Sequence, residues 1–321
     1  MNPRLATTVA WGGQSGGSLR GLVGDAAVEL DAAGVRMAFG EAPADGTMCV
    51  AGARWSWDAQ APADGWTGDD AVKLLGEALT HACAYVRTGR VALALSGGVD
   101  SAVLAGLLSG QAAVYTLESG LPGYCEAAEA QVVADGLGVA LRRVRVSEAD
   151  YVGSLPAVIR GCETPLYNLH PVSRYLLARA VRADGYDVLI TGDGADEVFG
   201  GTGGADYLPI VGALTRAAGL GAWAPFLDAP VAAVVRRDPD KRVLRALARE
   251  LGVPAEVAER AKRPRYAPGM DLSRYWDDAK IKMLGRRLGR VPGRASDREV
   301  VGWTTLGLFA DDYPGLGRCA G

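Results

Sequence analysis

Five apolar residues in a row, Val91-Ala92-Leu93-Ala94-Leu95, run directly into Ser96-Gly97-Gly98 and then into a stretch of helical spacing. An unbroken apolar run of this length suits a strand buried on both faces, which parallel sheets require. The same alternation recurs downstream. Strands are expected over 113–117, 141–146 and 188–191, and helices over 67–87, 102–108, 125–137 (closed by Gly138) and 172–183. Strands alternating with helices predict an α/β fold, a parallel sheet with helices on both faces.

The flanks read differently. Residues 1 to about 65 suggest short strands at 6–11, 28–39 (with a break at Ala33-Gly34) and 48–57 between Gly-rich turns, with 59–65 as a linker. A small β-rich N-terminal remnant over 1–65 and a main domain over 66–321 are therefore expected. From about residue 208 the chain reads as a mainly helical C-terminal part, with helices expected at 208–218, 229–236, 242–251 and 254–261.

Composition narrows the function classes. The net charge is −3 and no basic stripe is present, so a nucleic-acid partner is not expected. The five cysteines are scattered without a CxxC, and there are only two histidines. This argues against a disulfide framework, a zinc site and a Ser-His-Asp hydrolase. No long uncharged apolar stretch or signal region is seen, so the expectation is a cytoplasmic protein without a membrane partner.

The segment from Ala94 to Ser101, ALSGGVDS, carries the chemistry. Two consecutive glycines let the backbone approach an anion closely. The helix that follows offers unpaired N–H groups and the positive end of its dipole. Ser96 and Ser101 add hydroxyls, and Asp100 adds a carboxylate for a magnesium ion. No Walker lysine is present. An SGG turn alone is common, whereas SGGxDS directly after an apolar strand is a strong signal of a pyrophosphate cradle.

This segment resembles the PP-loop of the ATP-pyrophosphatases (adenine nucleotide α-hydrolase-like fold), which cleave ATP between the α- and β-phosphates. A second motif, Thr191-Gly192-Asp193-Gly194-Ala195-Asp196-Glu197-Val198-Phe199-Gly200-Gly201, resembles the GEGADE-x-FGG segment of the asparagine synthetase and β-lactam synthetase C-terminal domain. Glu163-Thr164-Pro165, Val172-Ser173-Arg174-Tyr175, Pro225-Phe226-Leu227-Asp228, Lys241-Arg242-Val243-Leu244-Arg245 and Arg260-Ala261-Lys262 fit the same domain in order. The resemblance covers about 70 to about 275.

The resemblance implies ATP and Mg2+ as cofactors. Adenosine would lie against Leu95, Leu117, Ser119, Thr191 and Gly192, and the phosphates against Ser96, Gly97, Gly98 and Ser101. Asp100 and Asp196 would hold magnesium, and Lys262 and Lys241 would face the charge built up in the reaction. Asp193 is the candidate base. The implied reaction adenylates a small-molecule carboxylate and passes the acyl group to ammonia, an amine or an internal amine, as expected in antibiotic and other specialised metabolism. A peptide- or carrier-bound substrate, as in the lasso-peptide cyclases, is a variant. A non-catalytic ATP-binding partner is the alternative, and the oligomeric state is left open, a homodimer being one option.

Two departures stand out. Asparagine synthetases begin with a glutaminase domain whose nucleophile is the Cys after Met, whereas here Asn2 follows Met1 and about 65 residues precede the synthetase-like part. Cys49 has no neighbouring His to activate it, so glutamine-derived ammonia is not expected from this chain. Asp193 stands where asparagine synthetases carry Glu and β-lactam synthetases carry Tyr. The shorter side chain changes reach by about 1.5 Å, where a misplacement of about 1 Å can cost 10²-fold. The substrate is therefore not safely aspartate.

Overall fold

The structure, a computed structural model, describes residues 69–84, 89–121, 124–199, 207–234, 238, 240–261 and 267–312, and the backbone of four short strands between residues 19 and 56. Those four strands are β1 (Leu19–Val23), β2 (Ala26–Leu30), β3 (Thr47–Val50) and β4 (Ala53–Ser56), paired as two antiparallel hairpins. The stretch 48–57, read as one strand, instead spans most of β3 and all of β4, which pair antiparallel with each other. The expected strand at 6–11 and the linker at 59–65 lie outside the described residues.

The main body is a five-stranded parallel sheet in the order β7-β6-β5-β8-β9. Its strands are β5 (Val91–Ala94), β6 (Ala113–Ser119), β7 (Leu141–Val146), β8 (Val188–Ile190) and β9 (Gly221–Trp223). The sequence reading found the first four. It missed β9, whose three residues are too few to show a pattern. Trp223 secures β9 by donating its indole N–H to the Ala82 carbonyl at 2.9 Å.

Period two decides which helices each strand meets. Val91, Leu93, Val114 and Ile190 join one core with α1 (Asp69–Ala84), α2 (Val99–Leu107), α3 (Ala127–Leu137) and α9 (Arg242–Glu250). Ala92, Tyr115 and Leu189 point the other way and pack on Leu177, Ala178 and Val181 of α5 (His170–Ala183). Helices therefore cover both faces, as expected. Between them lie α4 (Glu148–Cys162), α6 (Ala195–Phe199), α7 (Tyr207–Ala217) and α8 (Ala229–Val234). After α9 come α10 (Ala255–Ala258), α11 (Asp278–Leu288) and α12 (Asp297–Asp312).

Helix α4 was not foreseen, because Pro156 sits inside it and normally reads as a breaker. Its start was legible: Ser147 and Asp150 form a reciprocal capping box. Helix α2 begins at Val99, immediately after the glycines and three residues before the expected start, so Asp100 and Ser101 lie in its first turn.

The sheet order places the site. Counted from β5, the chain adds two strands on one side and then crosses to add β8 and β9 on the other. The strand order thus reverses between β5 and β8, and ligands of open α/β sheets bind in the crevice at the carboxyl ends of such a pair. The loops leaving β5 and β8 are the two motifs singled out above.

Candidate active site

Gly97 takes a left-handed φ of 76°. A Cβ there would lie 2.6 Å from Glu129 Cβ and 2.7 Å from Glu129 C, both on α3. Around it the loop bonds to itself. The Ser96 amide donates to Ser101 Oγ at 3.1 Å, and Ser101 Oγ donates to the Gly98 carbonyl at 3.2 Å. Ser96 Oγ lies 3.1 Å from Ser101 Oγ. Ser101 is buried, whereas Ser96 is exposed at the loop surface. The first N–H groups of α2 have no acceptors within the helix, so this framed loop can cradle a pyrophosphate.

The second loop packs against the first. A Cβ on Gly192 would sit 3.1 Å from Asp100 Cβ and 3.1 Å from the Ser101 amide nitrogen, so even a methyl there would require the start of α2 to give by a few tenths of an ångström. Gly194, at φ 88°, is covered by Leu227, and the neighbouring Phe226 is fully buried against Phe199. Burying a Phe contributes about 1.5–3 kcal/mol, which anchors the turn that presents Asp196.

Leu95, Leu117, Ser119, Thr191 and Gly192 stand at or just beyond the carboxyl ends of the adjacent strands β6, β5 and β8. The Leu95 amide bonds the Tyr115 carbonyl at 2.8 Å, and the Thr191 amide bonds the Trp223 carbonyl at 3.0 Å.

Lys241 joins the motifs. Its ammonium is 2.6 Å from Asp100 Oδ1 and 2.8 Å from Asp196 Oδ1, with a side chain only 7% exposed. Two like-charged carboxylates that share one cation must lie close together. They offer hard oxygen donors of the kind Mg2+ uses, one or two carboxylates with the remaining positions left to water and phosphate. The residues present therefore fit a magnesium ion.

Sequence reasoning missed what holds Lys241. It sits in a left-handed turn (φ 54°) before α9. Buried Asp238 closes that turn, its carbonyl taking the Lys241 amide at 2.7 Å and its carboxylate taking the Arg242 amide at 2.6 Å. The Asp238 amide in turn reaches the Phe199 carbonyl at 2.8 Å, tying the lysine's turn to the second motif. An Asp a few residues before a helical pattern was the available signal.

Lys262 lies outside the described residues. The residues leading to it are tied down. Arg260 donates to the Gly97 carbonyl at 3.0 Å, and Arg245 reaches the carbonyls of Asp240 (2.8 Å) and Arg260 (3.1 Å). One arginine therefore links the Lys241 turn to the stem that leads to Lys262, and the other links that stem to the phosphate loop.

Asp193 is not loose in the site. Thr191 Oγ1 donates to its Oδ2 at 2.7 Å, and Arg174 Nη2 lies 2.9 Å from Oδ2 and 3.1 Å from Oδ1. Arg174 belongs to the first turns of α5. There Tyr124, from the loop after β6, lies 2.5 Å from His170 Nδ1 and 2.8 Å from Ser173 Oγ. Nearby Tyr151 is fully enclosed, and burial pushes its phenol up to about 12. Glu163 ends α4 in a left-handed turn (φ 52°), with its carboxyl raised by burial.

Comparison with known proteins agrees with these motifs. Residues 73–213 match the family model described as asparagine synthase. Among curated proteins, the amidase chry2 of Gibberella zeae is 35% identical over 129 residues, 35% of this chain and 19% of that one. Asparagine synthetase B (glutamine-hydrolyzing) of Escherichia coli K12 is 29% identical over 126 residues, 33% of this chain and 22% of that one. The matched stretch is thus about a fifth of the length of these curated relatives. The solved NMN synthetase of Francisella tularensis aligns with 80% of this chain and 98% of its own, at 16% identity and a TM-score of 0.39. The stretch that matches the asparagine synthase family model, residues 73–213, holds both the SGGVDS and the GDGADEVF segments.

Proposed function

We propose that this protein is an ATP- and Mg2+-dependent, AMP-forming amide synthetase. It adenylates a small-molecule carboxylate and then transfers the acyl group to a nitrogen nucleophile. The observation that carries this reading is the convergence of Asp100 and Asp196 on Lys241, between a framed phosphate loop and a second glycine-rich loop at the reversal of strand order.

In the first half-reaction a substrate carboxylate oxygen attacks the α-phosphorus, and the bond to the bridging oxygen of pyrophosphate breaks. Ser96, Gly97, Gly98 and Ser101 take the departing pyrophosphate through amides and hydroxyls. Mg2+ held by Asp100 and Asp196 would neutralise phosphate charge. Lys241, held beside both carboxylates, would supply positive charge to the phosphate oxygens. Positioning and charge stabilisation of this kind account for most phosphoryl-transfer catalysis. In the second half-reaction the nitrogen attacks the acyl carbon and AMP leaves.

The test is nucleotide analysis with a panel of carboxylic acids, with and without amines. AMP and pyrophosphate are the expected products. ADP and phosphate would overturn the reading.

Asp193 is proposed as the base, oriented by Thr191 and Arg174. Asp193→Asn keeps the size but removes the proton acceptor. It is expected to slow amide formation roughly 10²-fold or more, while ATP–pyrophosphate exchange persists. Hydroxylamine, largely neutral near pH 7, should restore much of the rate because it needs no protein base. If exchange and amide formation fall together and hydroxylamine does not help, Asp193 is a structural residue.

A further inference from the structure

We infer that the Arg174–Asp193 pair is the receptor for the head group of an α-amino acid, and that this amino acid is the nitrogen nucleophile. The inference rests on the amide-synthetase reading and deepens it. Arg174 is 14% exposed and Asp193 22%, so both charges are largely withdrawn from water beside the second motif. The guanidinium has five N–H donors. Among the described residues its hydrogen bonds run through Nη2, both to Asp193, and the ligand's carboxylate is assigned to the Nε and Nη1 edge.

Charge balance selects the ligand. A simple amine inserted here would pair with Asp193 and strand Arg174, and a simple anion would do the reverse. Removing one partner of a poorly solvated ion pair is costly because it leaves the other charge uncompensated. A zwitterion avoids this. Its carboxylate takes the planar guanidinium fork, for which Arg is suited, and its ammonium takes Asp193, so one ion pair becomes two with no charge stranded. The ammonium then lies on the residue proposed as the base. Asp193 accepts one proton, and the nitrogen lone pair forms the C–N bond to the acyl carbon. The C–O bond to AMP breaks with its electrons, and the second proton lost by nitrogen passes to the departing phosphate. The product is an N-acyl amino acid.

The experiment is calorimetric titration of the whole chain, with Mg2+ and AMP present, using glycine, methylammonium and acetate as probes. Glycine is expected to bind, and each singly charged probe to bind roughly tenfold more weakly or worse, since hydrogen bonds to charged groups carry this effect. Arg174→Lys, which keeps the charge opposite Asp193 but loses the fork, should weaken glycine roughly tenfold. Asp193→Asn should weaken glycine but not acetate. Methylammonium binding as tightly as glycine, or a glycine affinity unchanged in Arg174→Lys, overturns the assignment. So does stimulation of ATP–pyrophosphate exchange by glycine or alanine alone, because the amino acid would then be the acyl partner. Failure of every acid to yield AMP would refute the synthetase reading instead, and the binding arms would still report on Arg174.

Discussion

Replacing Lys241 with Met is expected to lower ATP–pyrophosphate exchange by roughly 10²–10³-fold and to destabilise the protein by about 2–3 kcal/mol, a loss that Mg2+ partly reverses. Lys241 is bonded to both carboxylates, and its side chain is almost fully enclosed. Met preserves its length and apolar stem, so packing changes little and the effect reports charge. Without the ammonium, Asp100 and Asp196 face each other as like charges at reduced solvation. A divalent cation bound by the native pair and not by the unfolded chain restores stability in proportion to its occupancy. Urea unfolding of wild type and Lys241→Met, each with and without MgCl2, checks this. The variant should gain more from magnesium than the wild type. Equal gains would mean that the two carboxylates do not share a metal.

The parts of this site that were legible in the sequence are those where chemistry and backbone coincide. The run 91–95 shows its strand through its unbroken apolar character, and the paired glycines mark the turn from which the next helix leaves. Asp100, Asp196 and Lys241 come together in space, although 141 positions separate the lysine from Asp100. The residues missed are those whose role is a tertiary contact. Arg174 was quoted only as part of a resemblance, because nothing in a helical arginine foretells a carboxylate 19 positions away. Arg245 and Arg260 act through carbonyls, which leave no mark in side-chain patterns. Strand β9 is too short to show a period, and α4 hides behind Pro156.

The two glycines of the phosphate loop should respond very differently to alanine. Gly97→Ala meets two obstacles. The left-handed backbone costs an L-residue about 1–2 kcal/mol, and the new methyl would lie 2.6–2.8 Å from Glu129 and the Ala130 amide of α3, partly backbone atoms that cannot rotate away. Overpacking of that kind adds about 1–3 kcal/mol. The variant should therefore lose about 2–5 kcal/mol of stability in sum. Relief of the clash must pull the loop from α3, and with it the Gly97 carbonyl that holds Arg260, so nucleotide binding should be lost and the stem toward Lys262 released. Gly98 has an ordinary φ of −83°, and a Cβ there would find only Ser96 Oγ at 3.5 Å. Gly98→Ala should fold and melt close to wild type, and its deficit should appear only in ATP affinity, where the methyl keeps phosphate oxygens from the backbone. Thermal unfolding and binding of a non-hydrolysable ATP analogue separate the two. If Gly97→Ala melts with the wild type, the loop does not lean on α3 as described. If both variants bind nucleotide normally, the phosphates do not rest on this loop.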